Sequence, residues 1–189
     1  MSSNPAIQNL VVSLVVMQLA RKVPFDDPET LTYVRMGYLA SQMIILGTYY
    51  YTSMKIKSKN DQTVLKYVEP PSPMSKDPGA LVTTTVRDYD LGQTSQALRG
   101  ALFSVAMMGF LHLYLKYTQP LFMQAVMGMK NLYDAKVVQI HVLGKKPEGD
   151  LKRPFKAAGG MFGAAAGEPA TDSAAIAEAE KRVNTKKEE

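Results

Sequence analysis

The chain has 189 residues and a formal net charge of +5, and it contains no cysteine and no tryptophan. The lack of cysteine excludes a disulfide scaffold and a thiolate metal site. This length provides at most one domain of ordinary size. The positive charge suits an anionic partner, such as a lipid headgroup or RNA, but it does not choose between them.

The first apolar stretch carries a helix start signal. Asn4 is a typical N-cap residue, and Pro5 follows it at the first helical position. The apolar run is about sixteen residues long, which is shorter than the roughly 20 residues that cross a bilayer. A cleaved signal peptide is disfavoured because no basic residue precedes the run. We predict a helix over residues 5–20 that suits a locally thinned membrane.

Two further stretches are apolar on nearly every side. Asp27 and Pro28 repeat the start signal, and residues 36–54 carry no charge. The third stretch contains no Asp, Glu, Lys or Arg over residues 100–115 and ends before Pro120. Soluble domains of this size seldom contain such helices, although a soluble bundle of three buried helices is the alternative. We therefore predict an all-α membrane protein with three transmembrane helices, at about residues 5–20, 28–54 and 94–118.

The segment between the second and third stretches predicts a small ordered loop. Prolines within residues 70–78 interrupt regular structure. The flanking residues 66–68 and 81–86 have the β-branched and aromatic content of short strands, and we expect them to pair.

After Pro120 the sequence predicts one more helix and a basic tail. Residues 121–135 place apolar side chains on one helical arc, which is typical of an amphipathic helix in the membrane interface. Residues 136–142 alternate like a strand. We expect a membrane domain over residues 1–144 and a basic, largely flexible tail over residues 145–189, with a Gly/Ala-rich linker at 157–167.

The distribution of basic residues predicts the orientation. Arg21 and Lys22 directly follow the first stretch, and no basic residue precedes it. By the positive-inside rule we expect a lumenal N-terminus and a cytosolic C-terminus. The lysines that follow the second stretch, Lys55, Lys57 and Lys59, would then be lumenal, which argues against this orientation.

No catalytic constellation is visible. The two histidines, His112 and His141, lack the cysteine or acidic neighbours that a metal site or a catalytic triad needs. Residues 159–163 are glycine-rich but lack the lysine of a phosphate-binding loop. We expect no enzyme activity, no metal and no cofactor.

Polar side chains within the apolar stretches are costly in hydrocarbon and normally face a cavity or another helix. Those of the second stretch fall on one helical face at about 100° per residue. We predict a hydrated, positively charged groove between the helices. The alternative is that these side chains form interhelical hydrogen bonds, while Arg35 and Arg99 extend to the lipid headgroups. The predicted groove and substrate-contact residues are Arg35, Tyr38, Gln42, Tyr49, Arg99, Asn9, Ser13, Met107 and Met108.

The methionines and the basic tail each have two interpretations. Methionines cluster around the third stretch and the helix after it, where flexible side chains suit variable apolar partners, although they are also common in cores. The basic side chains of the tail are predicted to contact ribosomal RNA or anionic lipid, although such runs are often only solvated. These residues are Lys145, Lys146, Lys152, Arg153 and Lys156.

Four segments resemble a known family. They are KYVEP at 66–70, TTVRDYDL at 84–91, AMMGFLHLYLKYTQPLFMQ at 106–124 and GDLKRPFK at 149–156. The chain resembles the family of the third protein of the fungal SRP-independent targeting (SND) pathway, whose older name is inorganic phosphate transport protein of the endoplasmic reticulum. The resemblance implies a multi-pass membrane protein of that organelle, and its implied partners are the Sec translocon, the ribosome, other SND components, client membrane proteins and membrane lipid.

The leading hypothesis is a targeting or insertion factor that acts beside the translocon through the hydrophilic groove. The groove would let a client's polar flank cross while the client's apolar helix partitions into lipid. One alternative is a component of phosphate or anion transport, with Arg35 and Arg99 as ligands. Another is a structural adaptor between translocon and ribosome.

Overall fold

The computed structural model describes residues 5–70, 79–156 and 169–188. The proline-rich stretch at 71–78 and the predicted linker at 157–167 lie outside the described residues. The chain forms two compact units, each described by itself below. The first unit comprises Met1–Met54 and Thr94–Gln139, and the second unit comprises Lys55–Gln93 and Ile140–Glu189.

The described residues form six α-helices, two strands and one turn of 3-10 helix at Gly149–Leu151. The helices are α1 Pro5–Ala20, α2 Pro28–Lys59, α3 Val86–Leu113, α4 Gln119–Asp134, α5 Lys136–His141 and α6 Ser173–Glu188, and the strands are β1 Val64–Val68 and β2 Leu81–Thr85. α2 begins where Asp27 caps it, because the Thr30 N–H donates to Asp27 Oδ2 at 2.8 Å. The Thr30 hydroxyl also donates to Asp27 Oδ2, and this hydrogen bond, followed by the one from the Thr30 N–H, lowers the pKa of Asp27.

The prediction of three transmembrane helices is wrong for this structure. Within the three described ranges, every helix is too short or too polar to cross a membrane. α1 has 16 residues and covers about 24 Å of a ~30 Å hydrocarbon layer. α3 ends at Leu113, so its apolar part from Gly100 covers about 20 Å. α2 is longer, but polar side chains such as Gln42 and Thr52 interrupt its apolar stretch.

Two other predicted elements also need correction. The helix predicted for the membrane interface is α4, which packs against α2 and α3 in the first unit and buries Leu121 and Leu132. The strand predicted at 136–142 is the helix α5. Val137 and Val138 are adjacent residues of α5 and are both buried, whereas a strand with one buried face would expose one of them.

The core of the first unit lies where α2, α3 and α4 meet. One side chain from each helix, Tyr38, Met108 and Leu121, forms a buried cluster. Three partly buried side chains pack against it, Val34, Leu111 and Ala125. Each large apolar side chain buried here contributes about 1.5–3 kcal/mol. This cluster fixes α4 beside α2 and α3 and so shapes the cavities described below.

The outer faces of α1, α2 and α3 in the first unit are apolar and exposed. α1 buries Val16 and Ala20 but exposes most of its other large apolar side chains. The exposed apolar residues of these helices include Ile7, Leu10, Val11, Leu14, Leu19, Met36, Leu39, Met43, Leu102, Phe103 and Phe110. Exposed apolar surface of this extent usually contacts a partner or a lipid.

The second unit contains an antiparallel pair of strands. β1 pairs with β2 in a register that runs from Val64 opposite Thr85 to Val68 opposite Leu81. This confirms the prediction that these two segments pair. Lys66 on β1 forms an ion pair with Glu180 of α6, while the next residue, Tyr67, contacts Tyr89 of α3. Because successive strand residues point to opposite faces, the sheet lies between α6 and the beginning of α3.

Candidate functional site: three cavities around α4

The first cavity, the methionine groove, is lined by four methionines from three helices. Met17 comes from α1, Met108 from α3, and Met123 and Met127 from α4. The groove has a volume of ≈ 560 Å³. Methionine is unbranched and polarizable, so it adapts to apolar partners of different shape. This lining suits an apolar segment of variable sequence.

The second cavity, the polar cavity, lies between α2, α3 and α4 and has a volume of ≈ 270 Å³. Its polar lining side chains are Gln42, Tyr49, Ser104, Gln124 and Asn131. Ser104, Gln124 and Met127 line the methionine groove as well. The two cavities therefore share a wall formed by these three residues, and the polar cavity adds the amide and hydroxyl groups of Gln42, Tyr49 and Asn131.

One buried atom in each of two glutamine side chains that line the polar cavity lacks a hydrogen-bond partner. Gln42 is 7 % exposed. Its Nε2 has no hydrogen-bond partner, and Oε1 of Gln124 has none either. A buried polar group without a partner costs about 1–3 kcal/mol. Such groups are uncommon in folded proteins, and each of these two atoms lowers the stability of the first unit.

The third cavity, the α2–α4 groove, is mainly apolar and has a volume of ≈ 580 Å³. Phe122, Val126 and Met129 of α4 line one side, and Tyr33, Val34 and Tyr38 of α2 line the other. The hydroxyl of Tyr38 has no hydrogen-bond partner. Burial raises the pKa of Tyr38 and that of Tyr49, so both hydroxyls stay protonated at neutral pH.

A glycine of α4 lies close to an isoleucine side chain of α2. A Cβ atom added at Gly128 would lie 3.0 Å from Cδ1 of Ile45 on α2. Both residues line the polar cavity. An alanine at position 128 would therefore require the end of the Ile45 side chain to move by a few tenths of an ångström.

Arg35 is held by a histidine that is distant in sequence. Its Nε donates to Nε2 of His112 at 3.0 Å, and Nδ1 of His112 lies 3.0 Å from the carbonyl oxygen of Tyr117. An arginine only donates and a carbonyl only accepts, so His112 carries its proton on Nδ1 and is neutral. The contact fixes the direction of the Arg35 guanidinium at the surface of the first unit.

The structure distributes the predicted groove residues over several places. Gln42 and Tyr49 line the polar cavity, Tyr38 lines the α2–α4 groove, and Met108 lines the methionine groove. Arg99 and Met107 are exposed and line none of these three cavities. The hydroxyl of Ser13 donates to the carbonyl of Leu10, and Oδ1 of Asn9 accepts from Lys130. Sequence reasoning missed Ser104, Gln124 and Asn131, which lie on helices outside the polar stripe of α2.

The second unit contains a buried charged network centred on Asp90, which is 0 % exposed. Arg153 donates from Nε to Oδ1 at 2.7 Å and from Nη2 to Oδ2 at 2.6 Å. Nε2 of His141 lies 2.6 Å from Oδ2. Burial acts to raise the pKa of Asp90, but the hydrogen bonds from His141 and Arg153 outweigh burial and lower it.

Arg153 therefore differs from its basic neighbours. Its side chain is 10 % exposed and engaged with Asp90. The other predicted contact residues, Lys145, Lys146, Lys152 and Lys156, are exposed.

An aromatic cluster lies beside this network. The Tyr89 hydroxyl accepts from the Phe155 N–H at 2.7 Å, and the Tyr89 ring makes edge contacts with Tyr67 and Phe155. Three of the four segments that carry the family resemblance thus meet in the second unit. Among the described residues, no group of three or more His, Asp or Glu side chains could hold a metal ion.

Comparisons with known proteins match almost the whole chain. The family described as "Phosphate transport (Pho88)" matches residues 3–187. The chain is 44% identical over 181 residues to "SRP-independent targeting protein 3" of Saccharomyces cerevisiae, covering 96% of each chain. It is 39% identical over 181 residues to "SRP-independent targeting protein 3 homolog" of Schizosaccharomyces pombe, covering 95% of this chain and 93% of the relative. No solved structure matches the chain.

Proposed function

Because this chain belongs to the Pho88 family, we propose that it is an SRP-independent targeting factor that binds the apolar segments of client membrane proteins. Its relatives in two yeasts are named as targeting proteins. The names of the family and of these relatives describe phosphate transport and targeting rather than catalysis. The observation that carries the proposal is the methionine groove with the polar cavity directly beside it.

The client's apolar segment lies in the methionine groove, where contact with Met17, Met123 and Met127 removes it from water. Each large apolar side chain that is fully buried this way gains about 1.5–3 kcal/mol. Three or four such side chains suffice for useful affinity after the cost of association. The polar flank of the client extends along the shared wall into the polar cavity. No nucleotide is needed for either step.

We place this activity at the endoplasmic reticulum membrane, beside the Sec translocon and other SND components. The resemblance of the four segments supports this location, and so does the apolar outer surface of the first unit, which suits contact with lipid. The exposed lysines at 145, 146, 152 and 156 are proposed to contact ribosomal RNA or anionic headgroups.

Transport of phosphate or another anion has weaker support. The linings of the three cavities contain no charged side chain, and an anion site needs positive charge or converging N–H donors. Arg35 is engaged with His112, and Arg99 lines none of these cavities. A role as an adaptor between ribosome and translocon would use the exposed lysines but would not account for the methionine groove or the α2–α4 groove.

Binding of a labelled client peptide to the purified protein tests the proposal. A peptide with an apolar helix of about 16 residues and a short polar flank is expected to bind saturably without ribosomes. Replacing three of its leucines by serine should weaken binding at least tenfold, since each loses burial in the groove. Inorganic phosphate should not compete. Equal binding of the two peptides would refute the proposal, and competition by phosphate would favour the transport alternative.

A further inference from the structure

Methionine is the only sulfur-containing residue of this chain. The sequence contains 12 methionines and no cysteine, so it offers no thiol to an oxidant. Four of the methionines line the methionine groove. Three of these, Met17, Met123 and Met127, are partly exposed, whereas Met108 is 5 % exposed. Because a methionine side chain rotates about three bonds, the sulfur atoms of these three residues come into contact with solvent in the groove.

We propose that Met17, Met123 and Met127 are a site of reversible oxidation, and that their conversion to methionine sulfoxide turns off client binding. The oxidant is a hydroperoxide. The thioether sulfur attacks the terminal oxygen, so an S–O bond forms and the O–O bond breaks. The sulfur is oxidised, and the proton of the transferred oxygen moves to the leaving oxygen, which departs as an alcohol, or as water from hydrogen peroxide.

The reverse step uses a dithiol as reductant. Two thiols are oxidised to a disulfide, the sulfoxide is reduced to the thioether, and its oxygen leaves as water. Neither step breaks a bond of the chain other than the S–O bond itself. The inference rests on the proposed function, because it assumes that the apolar segment of the client occupies the methionine groove.

A sulfoxide changes the lining of the groove from apolar to polar. Its oxygen is a hydrogen-bond acceptor, and in the free protein water in the open groove donates to it. An apolar client segment would displace this water without supplying a donor, which is unfavourable for every sulfoxide that it covers. The unoxidised thioether is apolar and has no such requirement. Oxidation therefore opposes the contact that holds the client.

The position of these three residues distinguishes them from other exposed methionines. Met36 and Met43 are 63 % and 71 % exposed, and they line none of the three cavities. They also react with peroxide, but in the purified protein their sulfoxides remain in water and do not contact a client in the groove. The effect on binding therefore depends on location, because α1 and α4 bring three oxidisable side chains to one groove.

Peroxide treatment of the purified protein tests the inference. The protein is oxidised with dilute hydrogen peroxide, the peroxide is removed with catalase, and a labelled client peptide without methionine or cysteine is titrated. Binding is expected to weaken at least about tenfold once mass spectrometry shows one added oxygen at each of the three groove residues. Methionine sulfoxide reductases for both sulfoxide epimers, supplied with a dithiol, should restore the affinity.

Two variants locate the effect. Met17→Leu combined with Met123→Leu and Met127→Leu removes the three sulfur atoms while nearly conserving side-chain volume. After peroxide its affinity should stay within about twofold of its own value before peroxide. Met43→Leu is the matched control and should lose affinity on oxidation as the wild-type protein does. A further measurement needs no variant: saturating peptide should slow oxidation of the three groove methionines and leave that of Met43 unchanged.

The outcomes separate this inference from the proposed function. If the unoxidised protein binds the peptide and binds it equally well after the three sulfoxides have formed, the inference is wrong while the proposed function stands. An equal loss of affinity in the triple variant, or oxidation that spares all three groove residues, would also overturn the inference. If the unoxidised protein does not bind the peptide, both fail.

Discussion

Asp90→Asn is expected to lower the free energy of unfolding of the second unit by about 3–5 kcal/mol, because it leaves a buried arginine without its charge partner. The side chains of Arg153 and His141 are 10 % and 6 % exposed, so water cannot replace the lost carboxylate. Hydrogen exchange at the amides of β1 and β2 measures the effect where it arises. Asp150→Asn, at an exposed position of the same unit, should change exchange little.

The pH dependence of this effect gives an independent check. The pKa of Asp90 is lowered in the folded unit from its usual value of 3.8. The carboxylate therefore stabilises the unit above that pH and loses its contribution as the pH falls through the lowered pKa. The difference in the free energy of unfolding between wild type and Asp90→Asn should be largest at neutral pH and should decrease in strong acid. A small difference at pH 7 would contradict the charged network.

Met123→Asp combined with Met127→Asp is expected to weaken binding of the apolar client peptide by about 100-fold or more, because binding would bury two carboxylates. Both side chains line the methionine groove. The volume-conserving pair Met123→Leu and Met127→Leu should stay within about threefold of wild type. Titration of the labelled peptide by fluorescence anisotropy measures each affinity.

Met43→Asp is the matched control for added negative charge. Met43 is 71 % exposed and lines none of the three cavities. The Met43→Asp variant should bind the peptide with the same affinity as the wild-type protein. If Met43→Asp weakens binding as much as the groove variants do, the peptide is held by the apolar outer surface and the methionine groove is not the site.

Local signals in the sequence identified several elements. Asp27 and Pro28 mark the start of α2, because a cap and a proline act on the residues directly around them. The β-branched segments on either side of the prolines identify β1 and β2 for a similar reason. α5 was missed because its spacing of apolar residues resembles a strand over a stretch too short for the helical period to show.

The sites depend on contacts that no local pattern contains. Arg35 and His112 lie 77 positions apart, and Asp90 and Arg153 lie 63 apart. The polar stripe on α2 was recognised, but its partners Gln124 and Asn131 come from α4, whose position depends on packing against α2 and α3. The transmembrane prediction is wrong for α2 because a stretch without charge is still too polar when it contains several tyrosines, serines and an amide.

A photo-crosslinking amino acid at position 127 tests the central claim most directly. In the presence of a client released from the ribosome, a crosslinker at position 127 in the methionine groove should react with the apolar segment of the client. A crosslinker at position 131 in the polar cavity should react with the polar flank of the client. Residue 43, exposed outside the cavities, should give little adduct. Delivery of the client with crosslinks at position 43 but none at 127 or 131 would contradict the account.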